Sequence, residues 1–138
     1  EEFEALGVEF EQRVSRFEEA IPLIQRLWSE ESVIHHGRHF NVSGMGASIK
    51  PKRPGGPPIW VGGDVIAAVQ RAAKLNCPWI APPTMTFQEI TERVEVYKKT
   101  SAEISGRSVN EQPIIREVAI GKTKAEALRA ARPALLSK

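Results

Sequence analysis

The feature that most restricts the fold is an alternation, repeated three times, of β-forming runs with helical stretches in the second half of the 138-residue chain. Ile59-Trp60-Val61 leads into a helix from Val65 to about Leu75. Trp79-Ile80-Ala81 is stopped by Pro82-Pro83 and leads into a helix opened by Thr86. A third run, Ile114 to Ile120, ends at Gly121 and leads into a helix through Leu128, Ala131 and Leu135. Such alternation implies parallel strands joined by right-handed crossovers, which is the α/β class. Three units do not close a circle of strands, and open strand edges stay exposed unless the sheet is completed. The chain therefore reads as an arc of a larger α/β structure, and it is expected to self-associate as a homo-oligomer.

The helix ends carry their own signals. Thr86 with Glu89, and Thr123 with Glu126, have the spacing of capping boxes. Ile90, Val94, Tyr97 and Ile104 form the buried side of the middle helix, which Gly106 closes. Ala67, Ala68, Ala72 and Ala73 make the preceding helix slim enough to pack closely on a sheet. Pro133 is expected to kink or end the last helix.

The stretch around the first strand, Pro57 to Asp64, holds the functional signal. Ile59, Trp60 and Val61 lack polar alternation, which suits a strand buried on both faces. Gly62 and Gly63 let the backbone approach a ligand just where a helix presents its free N–H groups. Asp64 is placed to cap that helix. The stretch is either a phosphate cradle or only a tight strand-to-helix connection, and the residues alone leave both open. It is not GxGxxG, and the chain has no Ser-His-Asp set and no P-loop. Capping accounts for Asp64 and Glu89, so no general base is identified.

In the first half, Phe10, Val14, Phe17, Ile21, Ile24 and Trp28 recur in steps of four and three. They define one face of a helix running to about Trp28. Pro22 inside it cannot donate to the Glu18 carbonyl, so a kink is expected. Ser32 to Val42 reads as a β-hairpin turning near Gly37. It carries His35, His36 and His39, but adjacent strand residues point to opposite faces and no carboxylate or cysteine stands nearby in sequence. The histidines are read as surface residues and no metal site is assigned. Residues 43–58 form a Pro/Gly-rich loop over the fold, too short to link two domains, so 1–138 is one domain.

Composition narrows the function further. Hydrophobic residues make up 41% and charged residues 26%, as in soluble globular proteins. The net charge of +2 is too small to argue for nucleic acid or an anionic membrane. The basic run Lys50-Pro51-Lys52-Arg53 has no interleaved aromatics and reads as a solvated loop. A single cysteine, Cys77, excludes an intrachain disulfide and suits a reducing cytoplasm. No apolar run approaches the roughly 20 residues that cross a bilayer. Glu1-Glu2-Phe3-Glu4 lacks the layout of a signal peptide. A cytoplasmic protein is expected.

Several segments match one family in its order. They are Glu2-Phe3-Glu4-Ala5-Leu6-Gly7-Val8, Phe10-Glu11-Gln12-Arg13, Arg16-Phe17-Glu18-Glu19-Ala20-Ile21 with Leu27-Trp28, and His36-Gly37-Arg38-His39-Phe40. Pro51-Lys52-Arg53-Pro54 and Pro57-Pro58-Ile59-Trp60-Val61-Gly62-Gly63 follow. Arg71-Ala72-Ala73-Lys74-Leu75, Trp79-Ile80 and Ala130-Ala131-Arg132-Pro133-Ala134-Leu135-Leu136 complete the set. Together they resemble the luciferase-like monooxygenases, the superfamily of bacterial luciferase, with its flavin-dependent monooxygenases and deazaflavin-dependent oxidoreductases.

The resemblance implies a partial TIM (β/α)8 barrel: about three βα units, a preceding helix and a β-hairpin insertion. A whole barrel of this kind has about 250 residues. It implies an oxidoreductase or monooxygenase that uses FMN or coenzyme F420 on a small organic substrate. The cofactor would do the hard chemistry and the protein would orient it. Val61, Gly62 and Gly63 match a strand end whose backbone lies beside the cofactor in relatives. Trp79, with Ile80, matches the next strand near the mouth of the site, as a core aromatic or a cofactor contact. Trp28 and Trp60 are assigned to packing. The chain departs from the family at Asn76-Cys77-Pro78, where relatives often carry Gly-Asp-Gly. The early strands that supply most proposed catalytic groups have no counterpart, so catalytic residues stay unassigned. The alternative is an inactive barrel remnant that acts only through self-association or partner binding.

Overall fold

The fold is that of a computed structural model, which describes residues 2–105 and 112–136. Its centre is a short parallel pair, β3 (Val61–Gly62) and β4 (Trp79–Ile80), with Val61 opposite Trp79 and Gly62 opposite Ile80. Ala81 extends β4 and forms a parallel bridge with Ile114. The Ala81 N–H donates to the Pro113 carbonyl at 3.1 Å, and the Ile115 N–H donates to the Ala81 carbonyl at 3.1 Å. The parallel positions thus run β3, β4, Ile114 in chain order. The two crossovers carry α3 (Ile66–Lys74) and α4 (Phe87–Ser105), which pack on each other; α3 also packs on both strands.

Strand alternation explains what this layer buries. Val61 and Trp79 are buried, and they join Val69, Ala72, Ala73, Cys77, Ala81, Met85, Ile90 and Tyr97 in one core with Ile21. The small side chains of α3 let its backbone approach the strands. Each large apolar side chain removed from water contributes about 1.5–3 kcal/mol.

The first half is built separately around a helix. After α1 (Glu2–Ala5), a 3₁₀ turn at Phe10–Gln12 runs directly into α2 (Arg13–Ser29). The antiparallel hairpin β1 (Val33–His36) and β2 (Asn41–Met45) turns where the Gly37 N–H donates to the Phe40 carbonyl at 3.0 Å. That places the turn where the sequence puts it. The last element is α5 (Lys124–Leu136).

Several expectations are corrected. The third strand does not form: only Ile114 bridges, and Val118 and Ile120 are exposed. Its neighbour β4 gives way to Pro82-Pro83, and prolines have no N–H to extend a ladder. β3 begins at Val61 rather than Ile59. Trp60 is 54% exposed instead of packed, because it stands on the face opposite Val61, away from the helices. Helix α2 runs unbroken past Pro22 and α5 past Pro133. Of the α2 stripe, Ile21 is buried while Phe10, Phe17 and Ile24 are exposed, and Leu23, off the stripe, is buried. Ile104 is exposed rather than buried, and Gly106 lies outside the described residues. Trp28 does pack, with its ring against Gly56 of the connector.

The Thr86–Glu89 capping box forms, and the Thr123–Glu126 box forms only on the threonine side. The Glu89 Oε2 accepts from the Thr86 N–H at 2.7 Å and hydroxyl at 2.8 Å, and the Glu89 N–H donates to Thr86 Oγ1 at 3.3 Å. The Glu126 N–H donates to Thr123 Oγ1 at 3.2 Å, but its carboxylate reaches the Lys122 N–H, one residue early.

One carboxylate of α2 bonds the hairpin at three points. Glu19 accepts from His35 Nε2 at 2.9 Å and from the His39 and Phe40 N–H groups at 3.0 Å each. A β-carbon on Gly37 would collide with it. The hydrogen bond with His35, then those with His39 and Phe40, hold the Glu19 carboxyl down at about 2. The folded value lies below the ordinary one, so the anchoring is complete above about pH 4.5 and is lost as pH falls through about 2. Amide shifts of His39 and Phe40, followed by NMR in acid, should move across that window. In Glu19→Ala both amides should exchange on the order of tenfold faster at pH 7. Unchanged exchange would contradict the anchoring role.

Candidate functional site

The carboxyl end of β3 and β4 gathers the four residues singled out from the sequence. Val61 and Trp79 face each other across the ladder, and Gly62 follows opposite Ile80. Gly63 is joined to Trp79 by the indole Nε1, which donates to the Gly63 carbonyl at 2.8 Å. Trp79 is wholly buried, and its own N–H donates to Gln112 Oε1 at 2.9 Å. Val61 is buried through its side chain, whereas Gly62 is exposed.

The two glycines are present for different physical reasons. Gly63 has φ +142°, and a β-carbon there would stand 2.5 Å from the Ala68 β-carbon. It is the price of turning directly from the strand into α3. Gly62 is under no such constraint: a β-carbon there would meet only Ile80 Cγ2, at 3.7 Å. Its lack of a side chain leaves open space at the strand end.

Asp64 does not cap α3, which corrects the sequence expectation. The helix begins at Ile66, and Val65 occupies the cap position in extended conformation without a side-chain cap hydrogen bond. The Asp64 carbonyl instead accepts from Arg93 Nε at 3.1 Å, so α4 reaches back to the turn. Arg116, at the same end of the sheet, donates to the Pro83 carbonyl at 3.0 Å and lies 5.0 Å from the Phe87 ring centroid. Gln112, Arg93 and Arg116 had no local sequence signal, because their partners are some thirty residues away: 33, 29 and 33 respectively.

Other chemistry-bearing groups lie elsewhere. Glu89 is held below the usual carboxylate range by its Thr86 hydrogen bonds, backbone first, which fits a cap. Burial raises the Cys77 thiol and the Tyr97 phenol, and the Tyr97 hydroxyl donates to the Cys77 carbonyl at 2.9 Å. The hairpin histidines do have a carboxylate nearby, Glu19, brought from α2 rather than from the local sequence. Ser15 Oγ lies 2.7 Å from His39 Nε2. Among the described residues no three His, Cys, Asp or Glu side chains are grouped to hold a metal, and no helix is long and apolar enough to cross a membrane.

The face of the sheet turned away from α3 and α4 is bare. Trp60, Ile80 and Ile114 share an open hollow of about 890 Å³ with Arg53, Gln112 and neighbouring prolines.

Parallel strands joined through helices, with β3 turning through Gly62 and Gly63 into α3, define an α/β scaffold. The particular scaffold is evident from its relatives. The family described as luciferase-like monooxygenase matches residues 1–138, and the chain belongs to that family. It is 28% identical over 107 residues to an F420-dependent glucose-6-phosphate dehydrogenase of Kineococcus radiotolerans, covering 75% of this chain and 31% of that protein. It is 32% identical over 76 residues to an uncharacterized protein of Mycobacterium bovis, covering 55% of this chain and 26% of that one. Its fold is similar to the crystal structure of monooxygenase RslO1 from Streptomyces bottropensis, with TM-score 0.78 at 19% identity, covering 99% of this chain and 44% of that one. The chain thus spans about a third of the length of the curated relatives it matches.

The glycine assignment is directly testable. In denaturant melts Gly63→Ala should lose about 1–3 kcal/mol from backbone strain and overlap with Ala68. Gly62→Ala should stay within about 0.5 kcal/mol of the parent. Equal losses would show that the two positions are not constrained as described.

Proposed function

We propose that this chain forms an arc of a TIM (β/α)8 barrel and carries one side of an FMN or coenzyme F420 site, in an oxidoreductase or monooxygenase acting on a small organic substrate. The observation that carries the reading is the convergence of Val61, Gly62, Gly63 and Trp79 at one strand end, with open space beside Gly62. The barrel is supported by the strand order and by helices on one face only. In a closed barrel the bare face of Trp60 and Ile80 would be interior.

The residues present fit a flat, oxygen-bearing cofactor. Gly62 offers backbone without a side chain to block approach, and the first turn of α3, which its N-cap side chain does not bond, offers N–H donors to acceptor oxygens. Val61 would contribute backbone alone, and Trp79 would act through Gly63. When bound, such a cofactor supplies hydride transfer or the activation of oxygen. The chain binds it, orients it and shields one side from water. The name of the Kineococcus relative makes the deazaflavin the first ligand to test. The reading includes a cytoplasmic location, supported by a lone buried thiol, and self-association over the bare sheet face.

Fluorescence titration with coenzyme F420 and with FMN tests it. Saturable binding of one of them is expected, weakened on the order of tenfold by Gly62→Leu without loss of fold. Light scattering on the same sample should give more than one chain. A folded sample that binds neither cofactor would contradict the enzyme reading, and a stable monomer would contradict self-association.

A further inference from the structure

We propose that Trp79 and Arg93 are positioning residues that set the direction of the Gly62–Val65 turn by taking up its Gly63 and Asp64 carbonyls. The proposal rests on the cofactor reading above and specifies what the turn offers such a ligand. The Trp79 indole donates to the Gly63 carbonyl at 2.8 Å, and Arg93 Nε donates to the Asp64 carbonyl at 3.1 Å. The two donors come from different elements, β4 and α4, so the turn is held from two directions.

The consequence follows from peptide geometry. The described peptide bonds are all trans, and in a trans peptide the C=O and N–H groups point opposite ways. Holding the Gly63 carbonyl toward Trp79 turns the Asp64 N–H away from it. Holding the Asp64 carbonyl toward Arg93 does the same for the Val65 N–H. With both carbonyls engaged and no side chain capping α3, the turn presents donors rather than acceptors. It is therefore matched to the acceptor edge of a ligand, a ring carbonyl or a phosphate oxygen. Released from its clamp, the Gly63–Asp64 peptide is free to reverse, which glycine permits, and would present a carbonyl to the same atom.

The wholly buried Trp79 ring has no surface to stack on a ligand, so its part in the site is this hydrogen bond. Sequence alone leaves that role open between core and contact.

Three variants test the clamp. Trp79→Phe keeps the ring and removes the donor, Arg93→Met removes the other donor, and Arg93→Lys retains a cation that can still donate. In the ligand-free chain, NMR amide resonances of Asp64 and Val65 should move in Trp79→Phe and Arg93→Met, while those of Ile90 and Tyr97 stay. Affinity for the cofactor that the parent binds should fall on the order of tenfold in both, and Arg93→Lys should restore most of it. If Trp79→Phe fails to fold, Arg93→Met carries the test from the partly exposed side of α4. Unmoved Asp64 and Val65 resonances would overturn the proposal whatever the ligand does, as would parental affinity in a folded Arg93→Met. A parent that binds neither cofactor defeats the cofactor reading instead, and the ligand-free resonances still decide the clamp.

Discussion

The structure depends on the burial of Trp79. An indole taken wholly out of water brings a large apolar gain but obliges its N–H to find an acceptor. Here the acceptor is the Gly63 carbonyl, and the Trp79 main-chain N–H is taken by Gln112. One residue therefore ties together the exit of β3, the body of β4 and the segment that leads to Ile114. The core assembles around it: Ala72 and Ala73 of α3 leave room for the ring layer, and Tyr97 of α4 closes it with a hydrogen bond to Cys77. A truncation to alanine there would cost about 3–5 kcal/mol, lost transfer energy and cavity together.

The same burial makes the sheet one-sided. Val61 and Trp79 point to the helices, so Trp60, Gly62 and Ile80 stand on the other face. That face is apolar and open in the chain as it stands. The strand runs are short because Gly63 turns the chain out of β3, and Pro82 and Pro83 have no N–H to continue the ladder past Ala81.

This separates what the sequence made legible from what it did not. The alternation of strand and helix, the hairpin turn at Gly37 and the Thr86–Glu89 box were all readable, because each rests on local spacing. So was the strand end at Gly62 and Gly63. Trp60 was misjudged because a run of three apolar residues does not say which faces will be covered. The run from Ile114 to Ile120 looks like a strand, but its partner stops at two prolines. Asp64 has the right chemistry for a cap, and the chain places Val65 there instead. The long-range partners were invisible: the donor Arg93 and the acceptor Gln112 reach the turn and Trp79 from segments that local patterns cannot bring together, and the acceptor Glu19 reaches the hairpin in the same way.

The central proposal is that a flavin or deazaflavin lies against the strand end at Gly62 and Gly63. The most direct measurement is a map of backbone amide shifts when coenzyme F420 or FMN is added to the isotopically labelled chain. The account predicts that the largest changes centre on Gly62, Gly63, Asp64 and Val65, with the hairpin from Val33 to Met45 unaffected. Changes centred on the hairpin or on α2, with the Gly62–Val65 turn silent, would contradict it.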